Sequence, residues 1–377
     1  MTRVLFVTWD GGGNLPPTLG IARELVRHGG RVRVLGHAIQ RQAIEAAGLE
    51  FHPVRQGLDY VSAKPRGTVD GVLGLVALFA DRGIAADARE LLAVEPADVI
   101  VVDCLLWGVT GALTETGIPV VSLVHSRADF FDRNARGPLG LLARLRGADP
   151  LASRNAAMRL ITTRADFEPP RADPATNPHT GFVWQGTPVA AVPQAVPEVL
   201  VSFSTTSFPG QAKALQAVLD ALADENVRVT VTSGAVDPAA LRPPANARVV
   251  RSQDHAELLP RTSLVIGHGG HATTARALGY DIPVLVMPMH PLMDQPAVGH
   301  AVGALGAGMS LPKSASPARI RAAVRHLLTD ETVRAAAQRI GVETRARDGA
   351  VVGAELIAQL ASPVHPSERS PNNGASR

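Results

Sequence analysis

The chain has 377 residues, of which 46% are hydrophobic and 19% charged, with a formal net charge of +3. This is a globular composition, long for a single core, and it carries no dense Lys/Arg run of the kind that binds nucleic acid. One cysteine, Cys104, excludes a disulfide framework, and no apolar stretch reaches the ~18 residues that would span a membrane. The opening MTRVLFVTWDGGG reads as strand and turn and not as a signal peptide, so a cytoplasmic protein is expected.

Residues 3–9 are an apolar β run, followed by Asp10-Gly11-Gly12-Gly13-Asn14 and an amphipathic helix with Leu19, Ala22, Leu25 and Val26 on one face. That helix ends at Gly29-Gly30. A strand at 31–35, a helix at 39–47 and a strand at 50–54 complete a βαβαβ series, which argues for a parallel sheet with right-handed crossovers. Residues 57–75 are Gly-rich and read as a surface segment. Helices are predicted at 84–94 and 106–116, and buried-type strands at 98–103 (DVIVVD) and 118–124. Residues 127–160 mix Arg, Gly and Leu without a clean period, which suggests short helices on loops.

Seven prolines between 168 and 197 break both helix and interior strand, and they place a domain boundary there. The expected division is a first domain at 1–185, a linker at 186–197 and a second domain at 198–345. A final helix at 346–361 is expected to return to the first domain, and the polar tail at 362–377 is expected to be disordered. The second βα series has strands at 198–203, 228–232 and 248–250, and helices at 211–222, 316–328 and 331–345. Two Rossmann-like α/β domains put a ligand at the strand ends facing the cleft between them.

The most informative stretch is 262–295, TSLVIGHGGHATTARALGYDIPVLVMPMHPLMDQ. It reads as strand, glycine turn, helix, strand and loop. Glycines at a strand-to-helix turn let backbone N–H groups approach a ligand, and the helix start adds partial positive charge, so an anion such as a phosphate suits this place. A tight βα turn without a ligand is the plainer alternative. The flanking His268 and His271, with Thr273, Thr274, Asp294 and Gln295, favour the former.

His268-Gly269-Gly270-His271-Ala272-Thr273, followed by Asp294-Gln295, resembles the donor-binding signature of GT-B fold, family-1 glycosyltransferases, and most of all bacterial enzymes that glycosylate antibiotics and other natural products. PPTLGIARELVRHGGRVRVLG at 16–36, VLVSFSTTSFPGQ at 199–211, and Arg251-Ser252-Gln253 with Leu259-Pro260 agree in order and spacing. The resemblance implies a nucleotide-sugar donor in the second domain and a lipophilic aglycone in the first. His268, Gly270 and Thr273 would face the diphosphate, joined by Ser204 and Thr205. Asp294 and Gln295 would bind sugar hydroxyls, and the segment around Arg251 and Gln253 would hold the base. It also implies inversion at the anomeric carbon. A nucleoside diphosphate leaving group can be stabilised by hydrogen bonds and a helix dipole, so no metal or other cofactor is expected. The partners allowed are the donor, the aglycone and a second copy of the chain.

Two positions depart from the family pattern. Many UDP-sugar members carry a Glu, for the ribose hydroxyls, where this chain has Arg276, which tilts the donor toward a dTDP-sugar. The general-base histidine before helix one is replaced by Asn14, and an amide cannot take a proton. Asp103 matches the carboxylate that orients that histidine. Three accounts follow: Asp10 or Asp103 acts as base through a raised pKa, the acceptor is already nucleophilic, or the protein is non-catalytic.

His125 at a strand end is either an acceptor contact or a structural histidine, and His290 reads as an exposed loop residue. Trp9 and Trp107 suit either core packing or an acceptor platform, and Phe130-Phe131 either an aglycone surface or a satellite core. A nucleotide-sugar epimerase and a non-catalytic accessory protein of a partner glycosyltransferase are the competing functions. A nicotinamide dehydrogenase fits worse, because GGGN lacks the spaced third glycine and no acidic residue closes the second strand.

Overall fold

The computed structural model describes residues 1–361 except 65, 185 and 187, so the expectation of a disordered tail at 362–377 lies outside the described residues. Among the described residues, twelve strands form two parallel six-stranded sheets. The first contains β1 (Arg3–Val7), β2 (Arg31–Gly36), β3 (Glu50–Pro53), β4 (Val99–Asp103), β5 (Val120–Val124) and β6 (Met158–Ile161), in the order β3-β2-β1-β4-β5-β6. The second contains β7 (Glu198–Ser202), β8 (Arg228–Thr232), β9 (Ala247–Val250), β10 (Thr262–Gly267), β11 (Val284–Val286) and β12 (Gly308–Ser310), in the order β12-β11-β10-β7-β8-β9. Every residue of β4 and β5 is buried. That burial is why these strands read as unbroken apolar runs, since helices cover both faces of a parallel sheet.

The order reverses between β1 and β4 in one sheet and between β7 and β10 in the other. At such switch points the loops leave to opposite sides and open a crevice at the carboxyl ends of the strands. The helix Leu15–Arg27 follows β1 directly, with prolines in its first turn, where a missing N–H costs nothing. Its buried face carries Leu19, Ile21, Ala22 and Leu25, whereas Val26, assigned to that face from the sequence, is 41% exposed.

The sequence division at 185 is not where the cores divide. Phe167, Phe182 and Trp184 are buried with Leu200, Val265 and Leu278 in the core of the second sheet. The last helix, Gly349–Ala361, crosses back and buries Ala350, Ala354 and Ile357 against Val4, Leu19 and Ile21 of the first sheet's layer. Complete burial of a side chain like Ile357 contributes roughly 2–3 kcal/mol, so this helix ties the two units together.

Four elements differ from expectation. Residues 68–79 form a helix (Thr68–Phe79) and not an irregular segment. A helix Gln295–Ala304 follows Asp294, and the short strands β6 and β12 extend the two sheets. Among the described residues no helix is long and apolar enough to cross a membrane.

Candidate active site

Neighbouring strands of the first sheet deliver three side chains to one point. The turn after β1 carries Asn14, β4 ends in Asp103, and β5 runs into His125. Asn14 is 1% exposed and fully engaged. Its Oδ1 accepts from the Gly11 N–H at 3.2 Å, and its Nδ2 faces the Trp9 carbonyl at 3.0 Å, Thr8 Oγ1 at 3.3 Å and Asp103 Oδ2 at 2.9 Å. The same Oδ2 lies 3.1 Å from Nδ1 of His125, and Oδ1 of Asp103 accepts from the Leu105 N–H at 3.0 Å. Burial alone would raise the Asp103 pKa. His125, with the Leu105 and Asn14 hydrogen bonds, outweighs burial and holds the carboxyl below its usual range. Burial likewise opposes charge on His125, yet Asp103 beside it lifts the imidazole well above the ordinary histidine value.

This corrects one expectation directly. A carboxylate whose pKa is depressed is a poor proton acceptor, so Asp103 does not have the raised pKa expected of a base. Asp10 is also engaged: its Oδ2 accepts from the Ser62 N–H at 2.7 Å, and its own N–H donates to His37 Nδ1 at 3.1 Å. Cys104 Sγ stands 3.8 Å from His125 Nδ1. Asp103, Cys104 and His125 thus bring three potential metal-ligating atoms within 4.8 Å of one another. Burial pushes the Cys104 thiol upward, away from the thiolate that a metal would select.

In the second sheet, β10 ends at Gly267 and the turn His268-Gly269-Gly270 opens the helix His271–Gly279. Gly269 has φ +85°, and a side chain there would meet the Gln295 backbone at 2.7 Å. A Cβ on Gly270 would stand 2.6 Å from His268 Nε2, so the glycine lets the imidazole lie across the helix start. Burial lowers the His268 pKa to about 4, partly opposed by a backbone contact at Ser202, which leaves a neutral ring at neutral pH. Beside this turn, the loop after β7 holds Ser204, whose Oγ accepts from the Thr206 N–H at 2.9 Å, and the exposed Thr205. Thr273 is half-buried in the first helical turn.

The two halves meet across the cleft. Ser126 Oγ donates to Asp294 Oδ2 at 2.7 Å, and Arg127 Nη1 donates to the Ala297 carbonyl at 3.0 Å. A Cβ on Gly12 would come within 3.8 Å of Thr205 Oγ1. Burial raises the Asp294 pKa, while Ser126, His125 and Arg127 pull in the other direction. His271 sits at the seam, edge-on to Phe182 at 5.7 Å and Phe167 at 6.1 Å, and burial lowers its pKa to about 3.

Other sequence candidates have different surroundings. The Gln295 Oε1 accepts from the Met289 and His290 N–H groups at 2.7 and 3.0 Å, so this oxygen shapes the loop before Asp294. Arg251 is exposed and 3.7 Å from Asp237. Gln253 is held between Arg248 at 2.9 Å and Glu257 at 3.1 Å on the surface. Arg276 is half-buried, with Nη2 3.7 Å from Asp254 beside that same segment. Trp9 and Trp107 are buried in a file of edge-on aromatics that runs through Phe79, with Tyr60 against Trp9. Ser126 and Arg127 were not singled out in the sequence, although they follow His125 at the end of a strand neighbouring DVIVVD, where a cleft residue is to be sought.

Two parallel α/β units that face each other through the carboxyl ends of their strands, one offering a glycine turn at a helix start and the other a polar cluster, define a GT-B glycosyltransferase. Residues 216–359 match the family model described as erythromycin biosynthesis protein CIII-like, C-terminal domain. The chain is 30% identical over 428 aligned positions to 4'-demethylrebeccamycin synthase of Lentzea aerocolonigenes, spanning 95% of this chain and 99% of that protein. Of solved structures, the calicheamicin glycosyltransferase CalG4 aligns with a TM-score of 0.77 at 22% identity, covering 97% of this chain and 100% of the other. Glycosyltransferase VinC, solved in complex with dTDP, aligns with a TM-score of 0.74 at 21% identity, covering 96% and 99%. The chain belongs to the bacterial natural-product glycosyltransferases and moves a sugar from a nucleotide diphosphate sugar.

Proposed function

We propose that the protein is an inverting, metal-independent glycosyltransferase that prefers a dTDP-sugar and glycosylates a lipophilic small-molecule acceptor bound by the first domain. The observation that carries this reading is the opposition of two sites across one cleft. The turn His268–Gly270 with the start of helix His271–Gly279 lies on one wall, Asn14, Asp103 and His125 lie on the other, and Ser126 and Asp294 join the walls. A diphosphate seated on the turn is stabilised by backbone N–H groups, the helix start and the His268 imidazole as the glycosidic C–O bond breaks. An acceptor held on the first wall attacks the anomeric carbon from the side opposite the leaving group, which inverts its configuration.

Support for dTDP comes from position 276. The arginine there supplies no carboxylate for a 2′-hydroxyl, and it pairs toward Asp254 instead. The polar atoms around the turn supply a charge-stabilising environment that does not call for a cation. The test is to incubate the purified chain with dTDP- and UDP-sugars and a panel of aromatic and macrolide alcohols. Nucleotide diphosphate release is followed, and the product's anomeric configuration is read by NMR. Release that depends on acceptor, faster with dTDP and giving the opposite anomer, is expected. Retention of configuration would rule out the single displacement.

A further inference from the structure

We infer that His125 is the general base of this enzyme, a role moved from the turn before helix one to the end of β5 while Asp103 keeps its place as the orienting carboxylate. This rests on the glycosyl-transfer reading above. The turn position that resembles the family's base is Asn14, and every polar atom of its amide is occupied inside the protein. What Asn14 does is hold Asp103 from one side at Oδ2. His125 Nδ1 approaches the same oxygen from the other side at 3.1 Å.

Three further observations fit a free nitrogen beside the cleft. His125 Nε2 has no hydrogen-bond partner among the described residues, and the side chain retains 14% exposure. The Phe131 ring lies edge-on to the imidazole at 5.1 Å and limits its rotation. The next residue, Ser126, bonds Asp294, the residue that would bind the donor sugar, so His125 stands beside the place where sugar and acceptor meet.

Other histidines near the cleft lack this arrangement. His37 uses Nδ1 to accept from Asp10 and has Nε2 2.9 Å from the Leu58 carbonyl. His271 is enclosed by Phe167 and Phe182, and His268 lies at the opposite wall against Gly270.

In the step this assigns, Nε2 of neutral His125 takes the proton of the acceptor's O–H or N–H. The acceptor heteroatom forms its bond to the anomeric carbon, and the C–O bond to the diphosphate breaks with its electron pair on the leaving nucleotide. The imidazolium is stabilised by Asp103, which stays ionised, and its proton is then lost to solvent. The charged and titratable groups around His125 are Asp103 at the end of β4, Cys104 directly after it, Arg127 on its own segment, and His271 and Asp294 from the second domain. Asp103 dominates them, so the rate rises with pH as the imidazole deprotonates, and removal of that carboxylate moves the inflection to lower pH.

The experiment compares the full-length wild type with His125→Gln, using dTDP-glucose and two phenols of similar size. 4-Methylphenol is un-ionised at mildly alkaline pH, and 4-nitrophenol is largely ionised and needs no base. His125→Gln is expected to lose about 100-fold or more with 4-methylphenol, to keep most of the wild-type rate with 4-nitrophenol, and to bind dTDP as before. An unchanged rate with 4-methylphenol, or an equal loss with both phenols, overturns the proposal. Loss of dTDP binding by the wild type would instead defeat the glycosyl-transfer reading. A second readout needs no acceptor. The imidazole resonance missing from His125→Gln is followed against pH in the wild type and in Asp103→Asn. A fall of its midpoint in Asp103→Asn supports the dyad, and an unmoved midpoint overturns it.

Discussion

Nδ2 of Asn14 donates to Oδ2 of Asp103 at 2.9 Å, and both residues are almost wholly buried. The amide therefore fixes the rotamer of a carboxylate that also faces His125. Truncation to Ala removes this donor and leaves buried oxygens under-satisfied, a loss of roughly 1–3 kcal/mol of stability. Asn14→Ala is expected to unfold at lower urea and to transfer sugar about tenfold or more slowly, while dTDP affinity, set on the far wall, stays within about twofold. Equal losses in dTDP affinity and in rate would mean that Asn14 acts on the donor.

Acid should weaken the fold through the seam between the domains. The folded pKa of His271 is about 3, driven down by burial, against an ordinary value of 6.5. Folding therefore favours the neutral ring. Its contribution is complete above 6.5 and declines as pH falls from there toward 3, by something on the order of 2 kcal/mol at about pH 4.5. His271→Phe keeps an aromatic ring between Phe167 and Phe182 and removes the unpartnered Nε2. The variant should lose less stability than the wild type between neutral and acid pH in paired urea titrations. Identical acid losses in the two proteins would remove His271 from this role.

Gly270→Ala tests the donor turn without touching a charged group. The added Cβ would stand 2.6 Å from the His268 imidazole and must displace it. Its N–H groups at the helix start remain. Weakening of dTDP binding by about tenfold, with an acceptor site that still binds its ligand, is the expected result. Unchanged dTDP affinity would show that the position of His268 does not matter to the diphosphate.

Chelation addresses the three-atom cluster at Asp103, Cys104 and His125. The Cys104 thiol is pushed up by burial, and both Asp103 oxygens already accept hydrogen bonds. Dialysis against EDTA should therefore leave the transfer rate unchanged, and added zinc should not raise it. A rate abolished by EDTA and restored by zinc would contradict metal independence.

Much of this architecture is readable before any coordinate. Parallel strands buried on both faces, such as DVIVVD, announce themselves as continuous apolar runs, and the HGGHAT turn stands between strand and helix as its glycines require. The misses have physical causes. The helix Thr68–Phe79 contains Gly71 and Gly74 and is apolar on most sides, so it has no polar stripe to mark its period. The helix Gln295–Ala304 has Pro296 as its second residue and carries Gly299 and Gly303, which imitate a loop. β6 and β12 are four and three residues long, too short for a pattern, and are stabilised by their neighbours. The base was hidden for another reason. His125 lies 22 residues beyond Asp103 in sequence, and only the adjacency of β4 and β5 brings them together.

The central claim is that a nucleoside diphosphate sits on the His268–Gly270 turn. Calorimetric titration of dTDP and UDP into the wild type and into His268→Ala tests it most directly. Micromolar binding of dTDP by the wild type, tighter than UDP and weakened about tenfold or more in His268→Ala, is the result expected. Equal affinity in the two proteins, or no binding of either nucleotide by the folded wild type, would contradict it.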